Sequence, residues 1–147
     1  MASSNPRPIP VETVVASLTS AVGQLIRRLR ADANPGGLNF SQTATLARLD
    51  GEGAMTTADL ARAESMKPQS MATILSGLEE EGLVVRSRHQ TDGRQILFSL
   101  TPAGIEARRK RTAAKQKWLL AKVAKLDPAE RQTLLAAAAL ISRLDEP

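Results

Sequence analysis

Residues 83–104, LVVRSRHQTDGRQILFSLTPAG, constrain this chain more than any other stretch. Asp92-Gly93 is a reversal signal, flanked by an arginine-bearing run at 83–88 and an alternating run, ILFSL, at 96–100. The pattern predicts strands over 83–88 and 95–100 joined as a hairpin. Thr101-Pro102 then restarts a helix at once. A charged hairpin therefore stands between helices, with Arg94 just past its tip.

Helical spacing governs the remainder. Val11, Val14, Val15, Leu18, Val22, Leu25, Ile26 and Leu29 recur every three or four residues. They predict a long amphipathic helix ended by Asn34-Pro35-Gly36-Gly37. Ser41 is placed to cap a second helix, which carries Leu46 and Leu49 and stops at Asp50-Gly51-Glu52-Gly53. Thr56 and Asp59 have capping-box spacing and Met55 with Leu60 that of a hydrophobic staple, so a short third helix runs to about Glu64. Pro68 suits the first turn of a fourth helix, 67–81, with Gly82 at its C-cap. Two short helices joined by a tight turn describe a helix-turn-helix. Beyond the hairpin, one helix runs to about Lys125. A capping box at Asp127-Pro128-Ala129-Glu130 opens the last, with Leu134, Leu135, Leu140, Ile141 and Leu144. Residues 1–10, rich in Pro and Ser, are expected to be flexible.

Composition narrows the function. Aromatics are 2%, so packing rests on aliphatic side chains and alanine, which favours helices. The 147 residues suffice for one domain, or for a compact domain with a dimerisation arm. There is no Cys, and His89 is the single His. Disulfides, thiolate zinc sites and thiol redox sensing are excluded, and no metal or cofactor is expected. Enzyme chemistry fails on the same inventory, since no glycine-rich phosphate loop is present either. No apolar run reaches the ~18–20 residues of a membrane span, and no signal pattern opens the chain. No membrane association is expected, and the cytoplasm is the expected compartment.

The net charge of +5 is unevenly spread. Residues 83–125 hold eleven Lys and Arg against Asp92 and Glu106, while the remainder is net acidic. Such segregation fits a polyanion partner, although a solvated basic helix gives the same count.

Helix 67–81 sharpens this. Met71, Ile74, Leu75 and Leu78 make one apolar stripe, which is a core face. The opposite face offers Lys67, Gln69, Ser70, Thr73 and Ser76, with no acid before Glu79. Entry into a major groove needs hydrogen-bonding groups for base edges and no carboxylate against phosphates. Gln69 suits adenine, and Lys67 suits guanine or phosphate. Glu79-Glu80-Glu81 lie at the far end, as expected if the helix reads with its N-terminal part. An ordinary surface helix is the competing reading. On the hairpin, Arg86, Arg88 and Arg94 form a basic ribbon suited to a flanking minor groove, with Asp92 paired to Arg94 and fixing its aim. A surface hairpin whose arginines protect its edges is the alternative there.

The 49 residues Thr56–Gly104 resemble the winged helix-turn-helix of the MarR family of bacterial transcription regulators. The carrying features are Leu78-Glu79-Glu80-Glu81-Gly82-Leu83-Val84 entering Arg86, then Asp92-x-Arg94, then Leu100-Thr101-x-x-Gly104. The flanking helices also match, so the resemblance covers nearly the whole chain. It implies a homodimer of winged helices on double-stranded palindromic DNA, with Lys67, Gln69, Ser70 and Thr73 in the recognition helix and Arg94 at the wing as contacts. Gly93 stands where a second wing arginine is common, which leaves one minor-groove arginine here.

The expected architecture is thus mainly α with a small β-hairpin: a winged helix-turn-helix DNA-binding lobe at 38–100 and a helical dimerisation region at 11–37 and 101–147. The expected function is a sequence-specific regulator, a repressor released from its operator by a small organic effector. The resemblance implies that the effector is aromatic or phenolic and sits between the lobe and the dimer helices. A winged helix used for protein–protein contact, without operator DNA, is the alternative. Its DNA affinity would lack the salt dependence that phosphate contacts impose.

Overall fold

The computed structural model describes residues 7–146. Residues 1–6 of the expected flexible start, and Pro147, lie outside it. Six helices and three short strands follow in the order α1 (Val11–Asp32), α2 (Phe40–Glu52), β1 (Met55–Thr56), α3 (Thr57–Ala63), α4 (Pro68–Glu80), β2 (Val84–Arg88), β3 (Ile96–Leu100), α5 (Pro102–Val123), α6 (Pro128–Arg143).

Three local expectations need correction. Helix α2 is capped by Asn39, not Ser41: the Asn39 side chain accepts from the Gln42 amide, and the Gln42 side chain accepts from the Asn39 amide, both at 2.9 Å. Leu38 is buried in the core, so the helix must start directly behind it, and Ser41 falls inside the first turn. The second correction is β1, which the sequence does not reveal. Met55 pairs with Phe98 and Thr56 with Leu97, making a three-stranded antiparallel sheet of order β1-β3-β2. Two residues carry no alternation to read. Only the partner strand makes them a strand. Thr56 also caps α3 by accepting from the Asp59 amide, but the Asp59 carboxylate turns to Arg62 at 2.9 Å, so the reciprocal half of the box is not made.

The core is built by α2, α3, α4 and the sheet. Leu46, Leu60, Met71, Leu75, Leu78 and Val84 are fully buried, and Phe98 closes the cluster from β3. Burying such a side chain stabilises by roughly 1.5–3 kcal/mol, so this cluster holds the lobe together. By contrast α1 and α6 contribute no buried residue. Val14, Val15, Leu25, Leu120, Leu135 and Leu140 remain exposed along the outer helices.

The entry to α5 is fixed by one close approach. The Thr101 hydroxyl donates to the Gly82 carbonyl and accepts from the Gly104 amide, and the Thr101 amide donates to Leu83 O at 3.1 Å. A Cβ at Gly104 would lie 2.1 Å from that same Leu83 oxygen. Only glycine lets α5 start so close to the chain leaving α4.

Candidate nucleic-acid interface

Helices α3 and α4 are joined by a turn in which Ser65 adopts φ +52°, a left-handed conformation that side chains other than glycine rarely take. The Met66 amide returns to Ala61 O at 2.8 Å and closes the turn. Met71, Leu75 and Leu78 anchor α4 by its apolar stripe, which rotates Lys67, Gln69, Ser70, Thr73 and Ser76 into solvent. The structure therefore leaves these five exposed, with no acid on α4 before Glu79. The Thr73 hydroxyl donates to Gln69 O at 3.1 Å. Lys67 occupies the N-cap position without a side-chain cap bond, so the first-turn amides keep their capacity for an anion.

The wing is organised differently from its sequence reading. Asp92 makes no ion pair with the Arg94 guanidinium. Its Oδ1 accepts from the Arg94 backbone amide at 3.1 Å, and its carbonyl accepts from Gln95 N at 3.0 Å. A short carboxylate two residues away reaches the backbone sooner than the end of a long arginine. His89 supplies a second brace that the sequence did not suggest. Its Nδ1 accepts from the amides of Thr91 at 3.2 Å and Asp92 at 3.1 Å. Arg88 and Arg94 are exposed and belong to no ion pair among the described residues.

Arg86 stands apart from them. Its guanidinium forks onto Glu79 of α4 with bonds of 2.8 and 2.9 Å and lies 5.4 Å from the centre of the Phe98 ring. The paired hydrogen bonds hold the Glu79 carboxyl below the usual carboxylate range and raise Arg86. Glu79 thus faces the wing, while Glu80 and Glu81 are exposed at the far end of the helix.

A second feature lies between α1, α2 and α5, and its lining residues could not be named from the sequence. A cavity of about 300 Å³ is walled by Ile26, Leu29, Phe40 and Ala44, and rimmed by Arg30, Arg108, Arg111 and Lys115. Arg111 is 6% exposed; it donates through Nη1 to Asn34 Oδ1, and its buried Nε has no partner. Burial, then Arg108 and Arg30, lower the Arg111 pKa. Burial, then Arg111, Arg108 and Arg30, lower that of Lys115. No carboxylate lines the cavity; Asp50 reaches only Arg108, at 3.4 Å. These cations sit on three helices distant in sequence, so spacing along the chain could not reveal their meeting.

Among the described residues no group of three or more His, Asp or Glu could hold a metal ion, and no helix is long and apolar enough to cross a membrane.

Comparison with known proteins agrees with this geometry. The MarR family model matches residues 38–96. An uncharacterised HTH-type transcriptional regulator of Mycobacterium bovis is 37% identical over 131 residues, covering 89% of this chain and 92% of its own. The crystal structure of a transcriptional regulator from Pseudomonas aeruginosa superposes with a TM-score of 0.80 at 36% identity, over 90% of this chain and 94% of that one. A Staphylococcus aureus MepR mutant bound to an oligodeoxyribonucleotide shares the fold, with a TM-score of 0.68 at 19% identity over 94% and 100% of the two chains. With its helix-turn-helix, its wing and this likeness over nearly the whole length, the chain belongs to the MarR family, DNA-binding transcriptional regulators and not enzymes.

Proposed function

We propose that this chain is a repressor that binds a palindromic operator as a homodimer and leaves it when a small aromatic anion occupies the cavity between α1, α2 and α5. One observation carries the DNA reading: Lys67, Gln69, Ser70, Thr73 and Ser76 are exposed and polar, and α4 carries no acid before Glu79. Gln69 reads adenine and Lys67 guanine or phosphate. Arg88 and Arg94 reach the flanking minor groove, and Asp92 shapes the turn that presents Arg94. Residues 38–100 form the DNA-binding lobe, and 11–37 with 101–147 the dimerisation region. The exposed aliphatic faces of α1, α5 and α6 support a two-fold partner, whose symmetry a palindrome would match. On this reading the protein works in the cytoplasm, beside the chromosome.

The effector reading rests on Arg111. A buried guanidinium with an unpartnered Nε, beside three further cations and apolar walls, favours a flat anion such as an aromatic carboxylate. Its binding to one arrangement of lobe and dimer helices shifts the spacing of the two recognition helices.

The test is fluorescence anisotropy with the palindrome nearest the protein's own gene, across a salt series, with and without aromatic carboxylates. A steep fall of affinity with salt supports DNA readout; flat, weak binding favours the protein-contact alternative. Release by a carboxylate, and not by its amide, supports the effector.

A further inference from the structure

The wing is tied to the recognition helix at one outermost point. In the antiparallel pair β2–β3, Arg86 stands directly opposite Phe98, and Val84 opposite Leu100. Directly opposed residues share a face of the sheet, so Arg86 lies on the same face as buried Val84 and Phe98. There its guanidinium covers the Phe98 ring and grips both oxygens of Glu79. Three elements meet at this fork: the last turns of α4, the first wing strand and the second. Farther out the wing has no such support. The hydrogen bonds of residues 88–96 stay within the hairpin, from the Arg88–Ile96 pairing to the His89 and Asp92 turn. Ile96 and Arg94 are exposed.

We infer that Arg86 and Glu79 are positioning residues: their planar pair sets the angle between wing and recognition helix, and so places Arg94, instead of Arg86 itself contacting DNA. The lever is long. At ~3.3 Å per strand residue the tip lies roughly 15 Å beyond Arg86, so a tilt of about 10° moves it about 2.5 Å. That is several times the ~0.5 Å within which a binding group must be held. A bidentate guanidinium–carboxylate pair resists such a tilt because both its bonds lie in one plane. The exposed pair adds little to folding stability, so its value lies in orientation. The sequence concealed it, because Glu79 reads as repelled from DNA and Arg86 as a free cation of the wing.

The inference rests on Arg94 being the wing contact, and the experiment separates the two. Operator affinity of the full-length protein is measured for Glu79→Gln, Arg94→Ala and the double variant, with thermal melts to show that each is folded. Glu79→Gln removes a negative charge, which on charge alone tightens binding to a polyanion. The brace instead predicts weaker binding, by about fivefold, as expected of groups coupled in one network. It also predicts that Glu79→Gln costs nothing further once Arg94 is alanine. The charge-swapped protein, Glu79→Arg with Arg86→Glu, should recover most of the affinity lost in Arg86→Glu alone. Arg86→Ala should lower the salt slope no further once Arg94 is alanine. If Arg94→Ala binds like the parent, the wing reading fails and the brace falls with it. If Arg94→Ala weakens binding but the Glu79→Gln cost is undiminished in the double variant, the brace alone is overturned. A salt slope lowered by about one further unit when Arg86→Ala is added to Arg94→Ala also overturns it, making Arg86 a phosphate contact.

Discussion

The Asp92 carboxylate accepts from the amide of Arg94 and leaves its guanidinium free, so the turn is stiffened while the charge stays available. Arg94→Ala should therefore weaken binding to every sequence, lower the salt slope by about one unit and act most strongly on operators with A/T-rich flanks. Asp92→Asn keeps an oxygen that can accept the same bond and should bind nearly as the parent does. Asp92→Ala should weaken binding mildly. Affinity against salt for the three variants distinguishes shape from charge, and equal losses in Asp92→Asn and Asp92→Ala would show that the carboxylate's charge matters after all.

Gln69 projects from the first turn of α4, where a recognition helix meets base edges. Gln69→Ala should cost roughly 1–3 kcal/mol per site and relax preference at one base pair in each half-site. Glu80→Ala, at the far end, should leave base preference alone. Selection from a randomised operator library reads both. An unchanged preference in Gln69→Ala would move the register of the helix in the groove.

Lys115 titrates below its ordinary value because of burial and three neighbouring arginines. A base whose folded pKa is depressed holds its proton less tightly folded than unfolded. The charged lysine therefore costs stability at all pH values below the folded pKa, and the cost fades as pH rises from there to the unfolded value. Where the lysine is charged that cost is present, so Lys115→Met should raise Tm there, by about 2 °C at fixed protein concentration. The same change should blunt release from DNA by an aromatic carboxylate. Differential scanning calorimetry and anisotropy check the two halves separately.

Leu140 is 59% exposed on α6, amid the apolar faces assigned to the partner. Leu140→Glu should shift the protein toward monomer in light scattering at micromolar concentration and weaken operator binding by far more than it weakens a single half-site. A parent that is itself monomeric, with its fold intact, would refute the dimer.

Gly104→Ala tests the lobe's closure. Its methyl would meet the Leu83 carbonyl at 2.1 Å, and backbone must move to admit it. A loss of about 1–3 kcal/mol is expected, measured by urea denaturation.

Much of the fold was legible because helices and hairpins announce themselves locally. The period of Val11–Leu29, Pro68 opening α4, Asp92-Gly93 at the wing tip and the Asp127–Glu130 box each act within a few residues, and each stands where the spacing put it. The polar face of α4 was legible too, since the Met71–Leu75–Leu78 stripe dictates which residues turn outward. What the sequence by itself determined is the six helices, the hairpin and their order. Only tertiary structure decided the rest. Met55-Thr56 became a strand because β3 lay beside it. Asn39 displaced Ser41 as a cap because Leu38 had to enter the core. Glu79 met Arg86, and Arg30, Arg108, Arg111 and Lys115 converged on one cavity, because packing joined segments seven to about eighty residues apart. Side-chain charge is written in the sequence, but which charges face each other is set by the packing of the helices that carry them.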